Sequence, residues 1–131
     1  MARLLVFSLK GTDSLPPFEP VRPRELTAQP ELANAAVVAQ GKATYHQYCG
    51  ACHGDTAVSG GVLPDLRYSA AASDPKLWQS IAHDGALQAR GMIAFGEELR
   101  ADQIETVRAY VVHRINESLA EEHRATGAAK N

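Results

Sequence analysis

Two cysteines, spaced two residues apart and followed at once by a histidine, limit what this chain can be more than any other part of its sequence. They are Cys49, Cys52 and His53, and no other cysteine occurs among the 131 residues. This spacing is typical of three kinds of site: structural zinc, thiol redox chemistry, and covalent attachment of a c-type haem. The rest of the sequence must discriminate between them.

Two observations oppose the first two kinds of site. A structural zinc site needs four ligands, and with two sulfurs the other two would be closely spaced histidines. The other histidines stand far apart, at His46, His83, His113 and His123. A thioredoxin-like site places the cysteine pair at the start of a helix that follows a strand, whereas here the pair follows a helical pattern. The sequence therefore favours covalent haem, with each thiol adding to a vinyl group and the histidine binding the iron.

The composition is that of one small globular domain. Hydrophobic residues make up 45% of the chain and charged residues 21%, which is ordinary for a domain with a single core. The formal net charge is −2, and no run of like charge indicates a nucleic acid or an anionic membrane as a partner. The longest apolar run near the start, residues 4–7, is much shorter than the ~20 residues of a membrane span. We therefore expect no nucleic-acid partner and no membrane span.

Proline divides the chain into segments. Five of the seven prolines fall between residues 16 and 30, where their fixed φ angle and missing N–H oppose both helix and central strand. Residues 10–34 are therefore predicted to be a proline-rich linker. Before it, residues 1–9 form a short strand-like segment that needs other strands beside it. After it, residues 35–116 are predicted to be one folded domain, and residues 117–131, rich in Ala, Glu and Arg, a frayed tail.

Helical patterns dominate the folded domain, which is predicted to be mostly α. The first helix should cover residues 35–48, with Asn34 as its N-cap. The second should cover residues 75–83, because Asp74 is a suitable N-cap and a proline follows it at the first helical position. An apolar stripe predicts a third helix over residues 101–117. The long irregular segments between these helices indicate that the chain wraps around something.

Met92 is the only methionine inside the chain, and it stands in a loop downstream of the cysteines. A lone methionine usually fills a gap in a core. Here Gly91 and Gly96 allow the loop a tight path around a ligand, so we predict that Met92 is the second axial ligand of the iron, with His53 as the first. His83 is the competing ligand, but it is more readily explained as the end of its helix, near the negative pole of the helix dipole.

These features resemble the class I c-type cytochromes over residues 35–116. The family marks occur in order along the chain, at Gly41, Tyr45, Cys49, Cys52, His53, Pro64, Leu66, Met92 and Tyr110. The resemblance implies a fold of about three main helices with long loops around one covalent haem c. It also implies that Gly41 lets the last helix cross close over the first, with Tyr45 and Tyr110 filling the contact. The Pro64 carbonyl would accept a hydrogen bond from the outer N–H of His53.

Further side chains are expected around the haem. The candidates for the wall of its pocket are Leu63, Leu66, Trp78, Ile81, Ile93, Phe95 and Val107. Arg67 is expected to pair with a haem propionate, since a guanidinium matches a carboxylate with two hydrogen bonds. The predicted cofactor-binding set is Cys49, Cys52, His53, Met92, Pro64, Leu66, Arg67 and Trp78, and the predicted metal ligands are His53 and Met92.

A narrower resemblance indicates a dehydrogenase context. Residues 63–67, 102–111 and 5–9 resemble the C-terminal cytochrome domain of the PQQ-dependent quinohaemoprotein alcohol dehydrogenases. In that family a propeller carries the quinone cofactor, and its last strand leads through a proline-rich linker into the cytochrome. Residues 1–9 would then be a remnant of the propeller. The propeller itself is absent, so neither PQQ nor alcohol oxidation is expected on this chain.

The resemblance implies an electron carrier that is not an enzyme by itself. It implies a monohaem cytochrome c that takes single electrons from a PQQ dehydrogenase domain and passes them to a downstream cytochrome, copper protein or oxidase. Such a chain is expected in the periplasm. Two rival functions stay open at this point: a ligand-binding or peroxidatic haem protein with an open distal site, and a zinc or thiol-redox module without haem.

Overall fold

The structure of the chain, a computed structural model, describes residues 9, 10, 12 and 24–128. In these residues the regular structure is entirely helical, which confirms the mostly α prediction for them. The helices are α1 (Ala35–Tyr48), α2 (Gly50–His53), α3 (Pro75–Ala82) and α4 (Ala101–Ala128). Short 3₁₀ turns lie at Leu66–Tyr68, Ala70–Ser73 and Gln88–Arg90. Residues 1–8 of the predicted strand-like segment lie outside the described residues, as does most of the predicted linker before residue 24.

Local capping fixes where α1 and α3 begin, as predicted. The Asn34 side chain accepts a hydrogen bond of 3.1 Å from the backbone N–H of Val37. The Asp74 carboxylate accepts from the N–H groups of Lys76 and Leu77, at 2.9 and 3.1 Å. These contacts satisfy N–H groups that the first turn of a helix otherwise leaves without a partner.

Helix α4 is longer than predicted. It runs to Ala128 instead of ending near Glu117, and the fraying expected over residues 117–131 stays a prediction. Ser118 is buried and Leu119 packs against the core, which means that the inward-facing stripe continues past the predicted end. The exposed turns that follow consist largely of Ala, Glu and Arg, which are good helix formers.

Helices α1 and α4 cross in close contact at Gly41. A Cβ atom at this position would lie 1.9 Å from the carbonyl oxygen of Thr106 and 3.2 Å from Cβ of Tyr110. Because no side chain fits there, the two backbones approach more closely than any other residue would permit. One turn further along α1, the rings of Tyr45 and Tyr110 pack with their centroids 5.1 Å apart. The predicted close crossing, filled by two tyrosines, is therefore confirmed.

The core is organised around α4. The largest fully buried side chains of the core are Tyr45, on α1, and four residues of α4: Tyr110, Ile104, Val111 and Val112. From α3, the buried indole of Trp78 donates a hydrogen bond of 3.0 Å to the carbonyl of Ile104. Arg108 of α4 is also buried; it donates to the carbonyl of Ala72 at 2.9 Å and forms an ion pair with Glu105. Both α1 and α3 are thus held against the same helix.

The described end of the predicted linker is bound to the folded domain. The side chain of Asn116 on α4 forms two hydrogen bonds with the backbone of Gln29. The Gln29 N–H donates to Oδ1 at 3.0 Å, and Nδ2 donates to the Gln29 carbonyl at 2.8 Å. Further back, Arg24 donates to the carbonyl of Tyr68 at 3.1 Å, and its guanidinium lies 4.8 Å from the centroid of that ring. We call residues 24–33 the docked segment.

Replacing Gly41 by alanine should lower the free energy of unfolding by about 1–3 kcal/mol, because the added methyl group forces the two helices apart. Denaturant unfolding of the purified protein measures the change. Gly127→Ala on α4 is the matched control, since nothing lies within 4 Å of the Cβ it would add; it should leave stability unchanged or raise it slightly. Equal stability of the Gly41 variant and the parent protein would contradict the close crossing.

Asn116→Ala should lower the free energy of unfolding of the full chain by about 1–3 kcal/mol, because both backbone groups of Gln29 lose their partner. In a chain shortened to begin at Ala33, the same substitution should cost much less, since its partners on the docked segment are already gone. Thermal or denaturant unfolding of the four proteins gives the comparison. A similar cost in the full and the shortened chain would show that Asn116 does not act through the docked segment.

Candidate haem site

Cys52 and His53 lie on the short helix α2, which the sequence did not predict, and Cys49 is the residue that caps its start. Helix α1 ends at Tyr48, the chain turns at Cys49, and α2 begins at Gly50. The N–H groups of Cys52 and His53 donate to the Cys49 carbonyl at 3.1 and 2.9 Å. Residues three apart on a helical turn are neighbours on one face. Two thiols in this arrangement suit attachment to a single flat group.

The environment of the cysteines opposes thiol redox chemistry. Burial, followed by the nearby charge of Cys52, raises the pKa of Cys49 to about 11. A redox-active pair needs the opposite, because the thiolate is the nucleophile and reactive pairs have a lowered pKa. Zinc is not favoured either: in residues 9, 10, 12 and 24–128, no three His, Cys, Asp or Glu side chains are grouped so that they could hold a metal ion. The cysteines therefore suit covalent attachment better than the two rival chemistries.

His53 is buried, with 6% of its surface exposed, and a hydrogen bond fixes its ring. Its Nδ1 atom lies 2.9 Å from the carbonyl oxygen of Pro64. Because a carbonyl oxygen can only accept, Nδ1 carries a proton, and in the neutral ring the lone pair is then on Nε2. A neutral imidazole in this form can bind a metal through Nε2, and the outer hydrogen bond raises its basicity. The contact that the family resemblance implies between Pro64 and His53 is present.

The turn that follows the motif is held by side chains from α1 and α4. They donate to three successive carbonyls: Tyr45 to Gly54 at 2.6 Å, Tyr110 to Asp55 at 3.4 Å, and Arg114 to Thr56 at 3.3 Å. Burial raises the pKa of both tyrosines, so their hydroxyl groups stay protonated as donors. Gly54 has φ +80°, and a Cβ atom there would lie 2.1 Å from the carbonyl oxygen of Val58. The family resemblance implies both tyrosines at the helix crossing, whereas no sequence pattern indicates the contact of Arg114 with this turn.

Arg67 has partners other than the one expected. Its guanidinium donates two hydrogen bonds to the Asp65 carboxylate, at 3.1 and 2.8 Å, and a third to the hydroxyl of Ser118 at 3.2 Å. Hydrogen bonding to Asp65 raises the pKa of Arg67, which keeps the group charged. In this structure the guanidinium links the loop after Pro64 to α4. The pairing with a propionate stays a prediction.

The loop that carries Met92 lies beside the end of α1. The ring of Phe95 meets that of Tyr48 edge to face, with their centroids 5.8 Å apart. Tyr48 immediately precedes Cys49, so this contact brings the methionine loop next to the motif. Met92 itself is half-buried.

His83, the competing ligand, is engaged in other contacts. Its Nδ1 atom pairs with the Asp84 carboxylate at 2.8 Å. Its carbonyl accepts a hydrogen bond of 3.2 Å from the N–H of Gly96, where an added Cβ atom would lie 2.8 Å from that same oxygen. These contacts are those of a residue that ends α3 and ties it to the methionine loop.

The predicted wall residues divide by exposure. Trp78 and Val107 are buried in the core between α3 and α4. Three others are partly buried and pack against the core: Leu66, Ile81 and Phe95. Leu63 and Ile93 expose 43% and 62% of their surface, in the loops that carry Pro64 and Met92. An apolar macrocycle would cover these two exposed side chains. The thiol pair and the oriented imidazole of His53 suit the same group.

Comparison with known proteins gives a family match over most of the helical region. The family model described as "Cytochrome C oxidase, cbb3-type, subunit III" matches residues 36–111, more than half of the chain. Helices α2 and α3 fall within the match, as do all of α1 after its first residue and the first part of α4. The matched region thus contains every residue of the predicted haem site.

Individual relatives are quinone-dependent alcohol dehydrogenases. The chain is 41% identical to "Alcohol dehydrogenase (quinone), dehydrogenase subunit" of Gluconobacter oxydans over 95% of its length, and 39% identical to "Quinohemoprotein alcohol dehydrogenase ADH IIB" of Pseudomonas putida, also over 95%. It is similar to the solved structure of quinohemoprotein alcohol dehydrogenase ADHIIG from Pseudomonas putida, with a TM-score of 0.66 and 31% identity over 86% of this chain. The chain spans only 16% of the first relative, 18% of the second and 16% of the solved chain.

The helices were also compared with the requirements of a membrane span. Across residues 24–128, which contain all the described helices, none combines the length and the apolar character that crossing a bilayer requires.

Proposed function

This chain belongs to the cytochrome c family represented by that family model, and we propose that it carries one covalent haem c and transfers single electrons. The observation that carries the proposal is the state of His53: a buried imidazole directly after a cysteine pair, with its Nδ1 proton fixed on the Pro64 carbonyl. That arrangement leaves Nε2 available to bind the iron and has no use in a thiol-redox module. A zinc site would need further ligands, and the described residues group no three His, Cys, Asp or Glu side chains that could hold a metal ion.

Each part of the site has a chemical task in this proposal. A bound haem supplies a reversible one-electron change at its iron. The thiols of Cys49 and Cys52 hold it through thioether bonds, and His53 binds the iron through Nε2. Leu63 and Ile93 cover apolar surface and keep water from the ring, which lowers the local dielectric constant around the charge that changes.

We assign the second axial position to Met92. A thioether and an imidazole together raise the reduction potential and leave no open position on the iron, which suits an electron carrier. The contact between Phe95 and Tyr48 supports the assignment, because it holds the methionine loop at the motif. His83 is the competing ligand, because its pairing with Asp84 through Nδ1 leaves Nε2 available, and the two variants described next distinguish between the residues.

Replacing Met92 by leucine should abolish the weak long-wavelength band of thioether-bound ferric haem and lower the reduction potential, since the Met/His pair raises it. His83→Ala, the control, should change neither property. Visible spectra of the oxidised proteins and a redox titration provide both readouts. Loss of the band in the His83 variant and its retention in the Met92 variant would reverse the ligand assignment. High-spin, five-coordinate iron in the parent protein would instead favour a ligand-binding or peroxidatic function.

The relatives support a specific electron donor. Because the chain is similar to parts of quinone-dependent alcohol dehydrogenases, we propose that its electrons come from a dehydrogenase propeller that carries PQQ, joined through residues 10–34. PQQ binds on the propeller and not on this chain. The electrons would leave to a downstream cytochrome, copper protein or oxidase, and covalent haem attachment of this kind would take place in the periplasm.

Fusing this chain through residues 10–34 to a PQQ dehydrogenase propeller should speed reduction of the haem by alcohol relative to an unlinked mixture, because a short tether gives an effective concentration of about millimolar. Stopped-flow absorbance after addition of alcohol measures the rate. An unrelated cytochrome c fused at the same point is the control. If that control is reduced as fast as this chain, the proposed donor is wrong while the electron-transfer function stands.

A further inference from the structure

The loop that supplies the hydrogen-bond acceptor of His53 is anchored by Asp65, Arg67 and Ser118, none of which is a proposed iron ligand. We propose that Arg67, acting with Asp65 and Ser118, is a positioning residue that sets the hydrogen bond between the Pro64 carbonyl and His53, and through it the reduction potential. The inference rests on the proposed function, since it concerns a haem bound by His53.

The pair formed by Asp65 and Arg67 fixes the backbone directly after Pro64. Oδ1 of Asp65 accepts from both the backbone N–H and Nε of Arg67, each at 3.1 Å, while Oδ2 accepts from Nη2 at 2.8 Å. The two side chains expose only 14% and 19% of their surface. A two-point, charge-assisted pair with little solvent around it holds a defined geometry. The peptide group that bears the Pro64 carbonyl is the one that leads into this pair.

Ser118 connects the pair to α4. Nη1 of Arg67 donates to the Ser118 hydroxyl at 3.2 Å, and Ser118 is buried, with 3% of its surface exposed. The same helix donates to the turn directly after His53 through Tyr110 and Arg114. Both the turn that follows the ligand and the loop that carries its acceptor are therefore fixed to one rigid element.

The ring of Tyr68 adds a second support to this loop. The guanidinium carbon of Arg67 lies 5.6 Å from its centroid and that of Arg24, from the docked segment, lies 4.8 Å from it. Arg24 also donates to the Tyr68 carbonyl at 3.1 Å. Cations over an aromatic face contribute modestly when exposed, so we assign the main positioning effect to the buried contact with Ser118.

The direction of the effect follows from the chemistry of the ligand. A short hydrogen bond to Nδ1–H makes the imidazole a stronger base and a better partner for ferric than for ferrous iron. Loosening the loop lengthens that bond, weakens the preference for the ferric state, and raises the reduction potential. Removing the positive charge of Arg67 would act in the opposite sense, because a nearby cation favours the ferrous state. The substitutions used as tests therefore keep the charge constant.

Ser118→Ala and Arg67→Lys meet this condition. Both should raise the reduction potential, and Arg67→Lys should raise it more, because lysine also loses the two-point contact with Asp65. In the reduced holoprotein, the Nδ1 proton of His53 should exchange with solvent several-fold faster than in the parent protein, as measured by NMR. Ser73→Ala is the control: its hydroxyl is exposed and donates to the Ala70 carbonyl at 3.0 Å, so neither readout should move.

Three results would overturn the inference. The first is a reduction potential equal to that of the parent protein in both variants, and the second is a lowered reduction potential. The third is a raised reduction potential with unchanged exchange of the Nδ1 proton, which would indicate an effect unrelated to His53. Failure of the proposed function looks different, because the parent protein would then show no haem with a histidine ligand. Histidine ligation in the parent protein together with any of the three results leaves the function in place and removes only the positioning role.

Discussion

The backbones of α1 and α4 touch at Gly41, and the rest of the site depends on that contact. A Cβ atom there would lie 1.9 Å from the Thr106 carbonyl oxygen, so the crossing distance is set by the absence of a side chain. The crossing brings Tyr45 and Tyr110 together and lets their hydroxyl groups reach the turn after the motif. The position of His53 is thereby fixed by packing some distance away from it.

Helix α4 makes hydrogen bonds to both the turn after His53 and the loop that carries the Pro64 carbonyl. Through Tyr110 and Arg114 it holds the turn that follows the ligand, and through Ser118 it holds the loop that carries the acceptor carbonyl. A redox site benefits from such an arrangement, because ligand orientation and basicity then change little while the iron changes charge. The docked segment binds the same helix through Asn116, so the linker and the ligand loops share one support.

Features that depend on local sequence were predictable. The caps at Asn34 and Asp74 rest on side chains that reach N–H groups two or three residues away, and both contacts are present. The role of Gly41 followed from a family resemblance. By contrast, α2 is a four-residue helix, too short for a hydrophobic period, and the continuation of α4 depends on the burial of Ser118 by other elements.

Long-range partners could not be read from the sequence. The pairing of Arg67 with a propionate stays a prediction, whereas its contact with Ser118, 51 residues away on another element, had no signal in the sequence. The hydrogen-bonded residues Asn116 and Gln29 are 87 positions apart in the sequence. An arginine or an asparagine offers donors that many acceptors can satisfy, and only the packed fold decides which of them is near.

The claim that Cys49 and Cys52 hold a single haem is tested most directly by the intact mass of the denatured protein, produced in a host that attaches c-type haem. The account predicts the mass of the chain plus one haem, unchanged by denaturation because the thioether bonds are covalent. Replacing both cysteines by serine should return the mass to that of the polypeptide alone. A parent protein with only the mass of the bare chain, from cells that mature other c-type cytochromes normally, would contradict the account.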